Sequence, residues 1–305
     1  MTRKQQKSLL AGFIALAAIF ASVLYCGSRG STQWLGDSNT IANATSREAP
    51  ADYAALKEEL ETVLREWNDV TYGVFFKDIE SGDSFGINEN EPIAAASTVK
   101  LPVVLYLNEL VASGELDWDD KVKYNSATDW QDGAGILQFT ARDGDAFSLR
   151  VLANLAITIS DNIAYKMLTR YLGRENIIDF MEGLGGKIVF PEGRNITCAR
   201  DMGLYVEAVM TFAKAYPDLG ARLLDDMSHP IYHVGIPGNL PDKVVVAHKE
   251  GDVSGITNDV GIVFRDKPYI LVILSKGVSD IDEGFVRIAR ISKMVYDYQE
   301  TVRML

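Results

Sequence analysis

Cysteine is scarce in this chain, with two in 305 residues, Cys26 and Cys198. Cys26 ends an apolar run and Cys198 lies far downstream, so no disulfide between them is expected and the fold must rest on its core. Histidine occurs three times; His229, His233 and His248 form no spaced ligand motif, and each reads as an ordinary surface or core residue. Positive charge is also short, since 30 Lys and Arg stand against 42 Asp and Glu, for a net charge of −12. That balance excludes nucleic acid as a partner and a broad surface for anionic membranes, while leaving room for local basic pockets. No internal repeat is present, which sets aside repeat architectures.

Long charge-free runs are missing with one exception, Leu9 to Cys26 (LLAGFIALAAIFASVLYC), preceded by Arg3, Lys4 and Lys7. As a helix this run measures about 27 Å, close to the hydrocarbon thickness of a bilayer, with the basic flank on the cytoplasmic side. An uncleaved single-pass membrane anchor over residues 1–27, with the remainder exported, is expected. A cleaved signal peptide is the rival reading, and a lipoprotein site at Cys26 fits poorly behind the bulky Tyr25. Residues 28–50, rich in Ser, Thr, Asn, Gly and Asp, predict a flexible linker. Residues 51–305 then form one folded domain, expected to act as a monomer.

Within that domain Tyr53, Leu56, Leu60, Val63, Leu64 and Trp67 recur at helical spacing behind Pro50. Residues 71–77 and 84–87 predict a hairpin around Glu80-Ser81-Gly82-Asp83. A helix over 97–113, with Gly114 past its end and Pro102 near its start, follows. Residues 115–145 read as loop. Ser148 caps a helix over 149–158, and further helices are expected over 162–171, 175–181 and 201–215. Strands return over 243–251, 257–265 and 269–276, and a last helix covers 283–302. The expectation is an α+β fold in which strands from both ends join one five-stranded antiparallel sheet. It is flanked by the N- and C-terminal helices, with an all-helical lobe from the middle of the chain and a crevice between.

The stretch Ala94-Ala95-Ala96-Ser97-Thr98-Val99-Lys100 sets a hydroxyl and an amine three residues apart, on one face if Ser97 opens a helix. A serine hydroxyl needs a neighbour to take its proton, and a partly desolvated lysine can do so because burial lowers its pKa. A helix start also leaves backbone N–H groups free to face an oxyanion. Downstream stand Ser160-Asp161-Asn162 and, on a late strand, Lys249-Glu250-Gly251. These three elements in this order resemble the serine β-lactamase and penicillin-binding protein superfamily, in its class A β-lactamase-like branch. The resemblance covers about 50–302.

It implies a β-lactamase/transpeptidase-like fold and Ser97 as the acylated nucleophile. Lys100 becomes its base or proton relay, Ser160 the hydroxyl that hands a proton to the leaving nitrogen, and Asn162 a residue orienting Lys100 and the substrate's amide. Lys249 and Gly251 belong to the substrate-binding strand, with Lys249 supplying positive field. Asp252 gives a backbone N–H that joins that of Ser97 in an oxyanion hole. No metal or organic cofactor is implied. The partner is a small-molecule β-lactam or a peptidoglycan-type peptide, such as one ending in D-Ala-D-Ala; a non-catalytic binding or sensing module is the third reading.

Two departures bear on chemistry. Class A enzymes carry a glutamate in the loop after the Ser-Asp-Asn helices, which activates water to release the acyl-enzyme. Here residues 185–200 (GGKIVFPEGRNITCAR) are short and hold one carboxylate, Glu192, which reads as a turn residue between Pro191 and Gly193. The second is Glu250, where the resemblance calls for Thr or Ser to bind a substrate carboxylate. Either Glu250 points away, or Lys249 neutralises it, or the substrate is not presented carboxylate-first.

Overall fold

Strands drawn from the two ends of the domain make one sheet in the computed structural model, which describes residues 53–303. The expected anchor, the linker and Cys26 lie outside the described residues. Among the described residues no helix is long and apolar enough to cross a membrane. The chain enters through α1 (Tyr53–Glu66), the hairpin β1 (Thr71–Asp78) and β2 (Ser84–Ile87), and a short β3 (Ile93–Ala94). A 3-10 turn over Ala96–Val99 then runs into α2 (Lys100–Ala112). The central part holds β4 (Lys121–Lys123), α3 (Ser126–Asp129), α4 (Leu137–Thr140), β5 (Ala146–Ser148), α5 (Leu149–Thr158), α6 (Asn162–Leu172), α7 (Arg174–Gly183), β6 (Ile196–Thr197), α8 (Ala199–Ala215) and α9 (Pro217–Ser228). It closes with β7 (Val245–Val253), β8 (Ile256–Phe264), β9 (Tyr269–Lys276) and α10 (Ile281–Arg303).

The sheet order is β2-β1-β9-β8-β7, antiparallel throughout, so the first long strand pairs with the last from Thr71↔Lys276 to Asp78↔Tyr269. Side chains alternate across the pleat and divide the core in two. Val74, Phe76, Leu271 and Ile273 face α1 and α10, meeting Leu56, Leu60, Ile288 and Val295. Phe75, Ile270, Val272 and Leu274 face the helical lobe, where Leu101, Leu105, Leu152, Met167 and Val206 are buried. Both faces of β9 are covered, so its seven residues from Tyr269 to Ser275 are all buried, which is why that segment reads as one apolar run rather than an alternating one.

Three expectations are corrected. The middle of the chain is not helix and loop alone, because β3 pairs with β6 and β4 with β5. Strands of two or three residues carry no periodicity to read. The helix over Pro217–Ser228 is additional; its buried Leu223, Leu224 and Met227 follow helical spacing, but Pro217 and Gly220 read as loop punctuation. Ser97 lies in the 3-10 turn that precedes α2 rather than in an α-helix. Gly114 does stand past the end of α2, at φ +77°, as its role as a helix stop requires.

Candidate active site

Ser97 is half-buried at the mouth of a cavity between the sheet and the helical lobe, on a turn whose preceding residue, Ala96, has φ +49°. Such a conformation is costly for a side-chain-bearing residue, and here the Asn195 Nδ2 donates to the Ala96 carbonyl (3.0 Å) and helps to hold it. Lys100, one turn further, is 2 % exposed. Its Nζ reaches four oxygens: Ser97 Oγ (2.9 Å), Ser160 Oγ (3.0 Å), Ser160 O (2.6 Å) and Asn162 Oδ1 (2.8 Å). Burial and the nearby Lys249 charge lower the Lys100 pKa to about 6, so at neutral pH the amine is mostly uncharged. The two carbonyl oxygens can only accept, so they take the amine's two N–H groups. Its lone pair is then left to the two serine hydroxyls, which can donate.

Ser160 sits between α5 and α6 at φ +55°, which brings its carbonyl and its hydroxyl to the same amine. Asp161 makes that geometry affordable. It is fully buried, caps α6 through Ala164 N–H (2.9 Å), and accepts Ile136 N–H and Leu137 N–H (both 2.8 Å). The wall over 131–137 can approach this carboxylate because Gly135, at φ +106°, has no Cβ; one built there would stand 2.3 Å from the Asp161 carboxyl. Asn162 Nδ2 donates to the Asp132 carbonyl (2.7 Å) on the same wall. The Asn162 amide thus ties Lys100 to the wall with one of its two N–H groups, and it lines the cavity. Asp161→Ala removes one charged acceptor from three buried N–H groups. A loss of about 3 kcal/mol is expected, visible as a melting point lowered by roughly 6–12 °C in thermal unfolding.

Strand β7 closes the opposite side. A Cβ on Gly251 would lie 2.6 Å from Ser97 N and 2.8 Å from Thr98 N, so only glycine lets this strand come up to the nucleophile's backbone. Lys249, fully buried, donates to the Glu250 carbonyl (2.7 Å), and burial lowers its pKa to about 8. It lines the same cavity as Ser160 and Asp252. The Glu250 carboxylate is turned onto the loop before β7, where Oε1 accepts Val234 N–H (3.0 Å) and Gly235 N–H (2.8 Å). Of the three alternatives raised by the sequence, the first describes its hydrogen bonding. Burial and the neighbouring Asp259 carboxylate raise Glu250 to about 7.

The resulting cavity of about 790 Å³ is lined by Ser97, Lys100, Ser160, Asn162, Lys249 and Asp252 together, and Gly251 packs against the Ser97 backbone beside it. The seven candidate site residues therefore fall in one place. Glu192 does not: its side chain is 81 % exposed and pairs with Arg194 (3.1 Å), and Asn195 is the residue of that loop that lines the cavity. Sequence reading missed Asp161 as the structural tie, Asn195 as a cavity residue and a buried trio of His248, Glu250 and Asp259. In that trio the ligand atoms lie within 4.8 Å of one another. Their oxygens are already used: Asp259 Oδ2 accepts Ile236 N–H (2.6 Å) and lies 3.0 Å from His248 Nδ1, and Glu250 Oε1 holds two backbone amides. The trio fits an anchor for the loop over 231–236 better than a metal centre. The residues of the trio lie on paired strands, at His248 and Glu250 of β7 and Asp259 of β8, so pairing register is the signal that would have found them.

A family model described as "Beta-lactamase enzyme family" matches residues 55–299. No curated protein sequence matches the chain. Solved structures agree in fold. A PBP-A mutant, as an acyl-enzyme complex with penicillin G, has a TM-score of 0.76 at 24% identity over 83% of this chain and 100% of that one. A β-lactamase from Sphaerobacter thermophilus has a TM-score of 0.73 at 22% identity over 84% and 98%. A TLA-1 extended-spectrum β-lactamase variant has a TM-score of 0.73 at 23% identity over 81% and 98%. With the family match spanning most of the sequence and the serine, lysine and strand motifs meeting in one cleft, the chain belongs to the β-lactamase enzyme family.

Proposed function

We propose that this protein is an active-site-serine acyl-transfer enzyme that opens amides, β-lactams among them, through an acyl-enzyme on Ser97, and that it releases the acyl group slowly. The observation that carries this reading is the Lys100 amine, held within 3.0 Å of both the Ser97 and the Ser160 hydroxyls. As Ser97 Oγ attacks the carbonyl carbon, the neutral amine takes its proton. The carbonyl oxygen becomes an oxyanion facing the backbone N–H groups of Ser97 and Asp252, which Gly251 allows to converge; one such donor is typically worth about 3–4 kcal/mol of barrier. The C–N bond then breaks as Ser160, through Lys100, returns the proton to the leaving nitrogen.

Release needs a base to activate water beside the ester. The loop over 185–200 offers none, since its lone carboxylate is at the surface, paired with Arg194. The first half of the reaction is therefore supplied and the second is not, which is the behaviour of a penicillin-binding protein rather than a fast β-lactamase. The expected membrane tether supports a substrate of the cell envelope, an amide or ester such as a peptide, acted on outside the cytoplasm.

The pH profile tests the assignment of the base. Lys100 must be uncharged to act, so the acylation rate is expected to rise with pH through about 6 and level off near 7. It should fall again above about 8 as Lys249 loses its charge. A rate that falls between pH 5 and 7 would remove Lys100 from that role.

A further inference from the structure

The cleft around Lys249 is acidic on both sides. Asp132, Glu250, Asp252 and Asp282 line the cavity, and no arginine lines it among the described residues. Its two lysines are committed: Lys100 is held by the serines and Asn162, and the buried Lys249 donates to the Glu250 carbonyl. Even with Lys249 set against Glu250, three carboxylates are left, and all three are exposed to solvent in the cleft. Two of these converge from separate elements. Asp282 is on the first turn of α10, which packs on β8 where Gly284 meets Thr257, and Thr257 is the residue paired with Asp252 on β7. Tyr232 and Phe285 add aromatic faces to the same wall.

Carboxylates beside aromatic rings form a place for an ammonium or guanidinium group, and they repel a second anion. We propose that the cleft selects acyl donors carrying a cationic group next to the scissile bond and disfavours those carrying a carboxylate there. This rests on the acyl-enzyme reading and names the substrate class of that site. Asp252 and Asp282 are its specificity-determining residues, one on the strand and one on the helix beside it, while Glu250, turned onto the loop before β7, leaves that strand position without the hydroxyl that would hold a substrate carboxylate. The preference is electrostatic, so it weakens as salt is raised.

Two thioesters of N-benzoylglycine test it, one made with thiocholine and ending in a trimethylammonium that cannot take up the acyl group itself, the other made with 3-mercaptopropionate and ending in a carboxylate. In each, the acyl–Ser97 bond forms, the C–S bond breaks, and the serine proton leaves with the thiol. Both give the same acyl-enzyme, so only the charge of the leaving group differs. Thiol release is followed at low salt, and each rate is divided by that thioester's own hydroxide-catalysed rate. The ammonium thioester is expected to react at least tenfold faster, and the ratio should shrink several-fold in Asp282→Asn, in Asp252→Asn and at high salt. A ratio of one, or a preference for the carboxylate, overturns the proposal. If neither thioester acylates Ser97 by mass spectrometry while the protein remains folded, the acyl-enzyme reading itself falls and takes this inference with it.

Discussion

Incubated with benzylpenicillin, the protein is expected to gain one penicilloyl adduct on Ser97 and to keep it, so that a stoichiometric burst is followed by turnover orders of magnitude slower. Ser97→Ala is expected to gain none. The attack requires a hydroxyl, a neutral base and an oxyanion site; Ser97 Oγ lies 2.9 Å from the buried Lys100 amine, and the Gly251 backbone comes up to the Ser97 N–H. The strained ring favours acylation even though the acidic wall slows entry of the drug's carboxylate. Hydrolysis requires a second base on the other side of the ester, and Asn195, an amide that cannot take a proton at neutral pH, is what the loop over 185–200 presents to the cavity. Losing general-base help typically costs a factor of about 10²–10⁴. Time-resolved mass spectrometry reads attachment and release together. Rapid steady turnover would mean that a base outside that loop serves the water, and an absent adduct would end the acyl-enzyme reading.

Lys100→Met is expected to slow acylation by about a thousandfold, and Lys100→Arg to be no better, because a guanidinium keeps its proton. That pair separates a base from a mere positive charge, which Arg would replace. The same substitution has a stability signature. Lys100 titrates near 6 when folded against an ordinary value of 10.5. Between those values the unfolded chain holds a proton that the folded chain lacks, so the residue's contribution to stability climbs as pH rises, by about 1.4 kcal/mol per pH unit at the steepest. Its cost is greatest at and below about pH 6. The difference in melting point between Lys100→Met and wild type is therefore expected to move in the variant's favour as pH is lowered from 9 to 6. A gap that widened the other way would mean that the buried amine is charged.

Much of this was legible in the sequence for physical reasons that differ from element to element. The sheet could be read because 72–76 and 269–274 are short apolar runs rich in β-branched and aromatic residues between turn signals, and α1 because Leu56 and Leu60 repeat at helical spacing. Ser97 and Lys100 could be read because a hydroxyl and an amine three residues apart can serve acyl transfer, and Ser160, Asn162, Lys249 and Gly251 because their motifs in that order resemble the serine β-lactamase and penicillin-binding protein superfamily. What could not be read depends on contacts between segments that no local pattern encodes. Asp161 looks like a helix cap, and its bonds to Ile136 and Leu137 come from a wall that only Gly135 lets in. Glu250 looked like a charge in the substrate's path until the Val234 and Gly235 amides supplied its partners. The helix over Pro217–Ser228 was hidden because Pro217 opens it and Gly220 packs against Ala213, both residues that read as loop.

The register that joins Thr71 to Lys276 has a consequence during synthesis. The edge that β1 offers to β9 has no partner until a segment about 200 residues later has left the ribosome, roughly 10–40 s at ordinary elongation rates. For that interval an apolar strand, Tyr72 to Phe76, waits open to any passing chain. The sheet thus closes late, just before α10 covers it, and a nascent polypeptide of this design stays open until translation is nearly complete. That timing makes β9 and the helix after it, rather than the turn bearing Ser97, the step that converts a linear polymer into a folded domain.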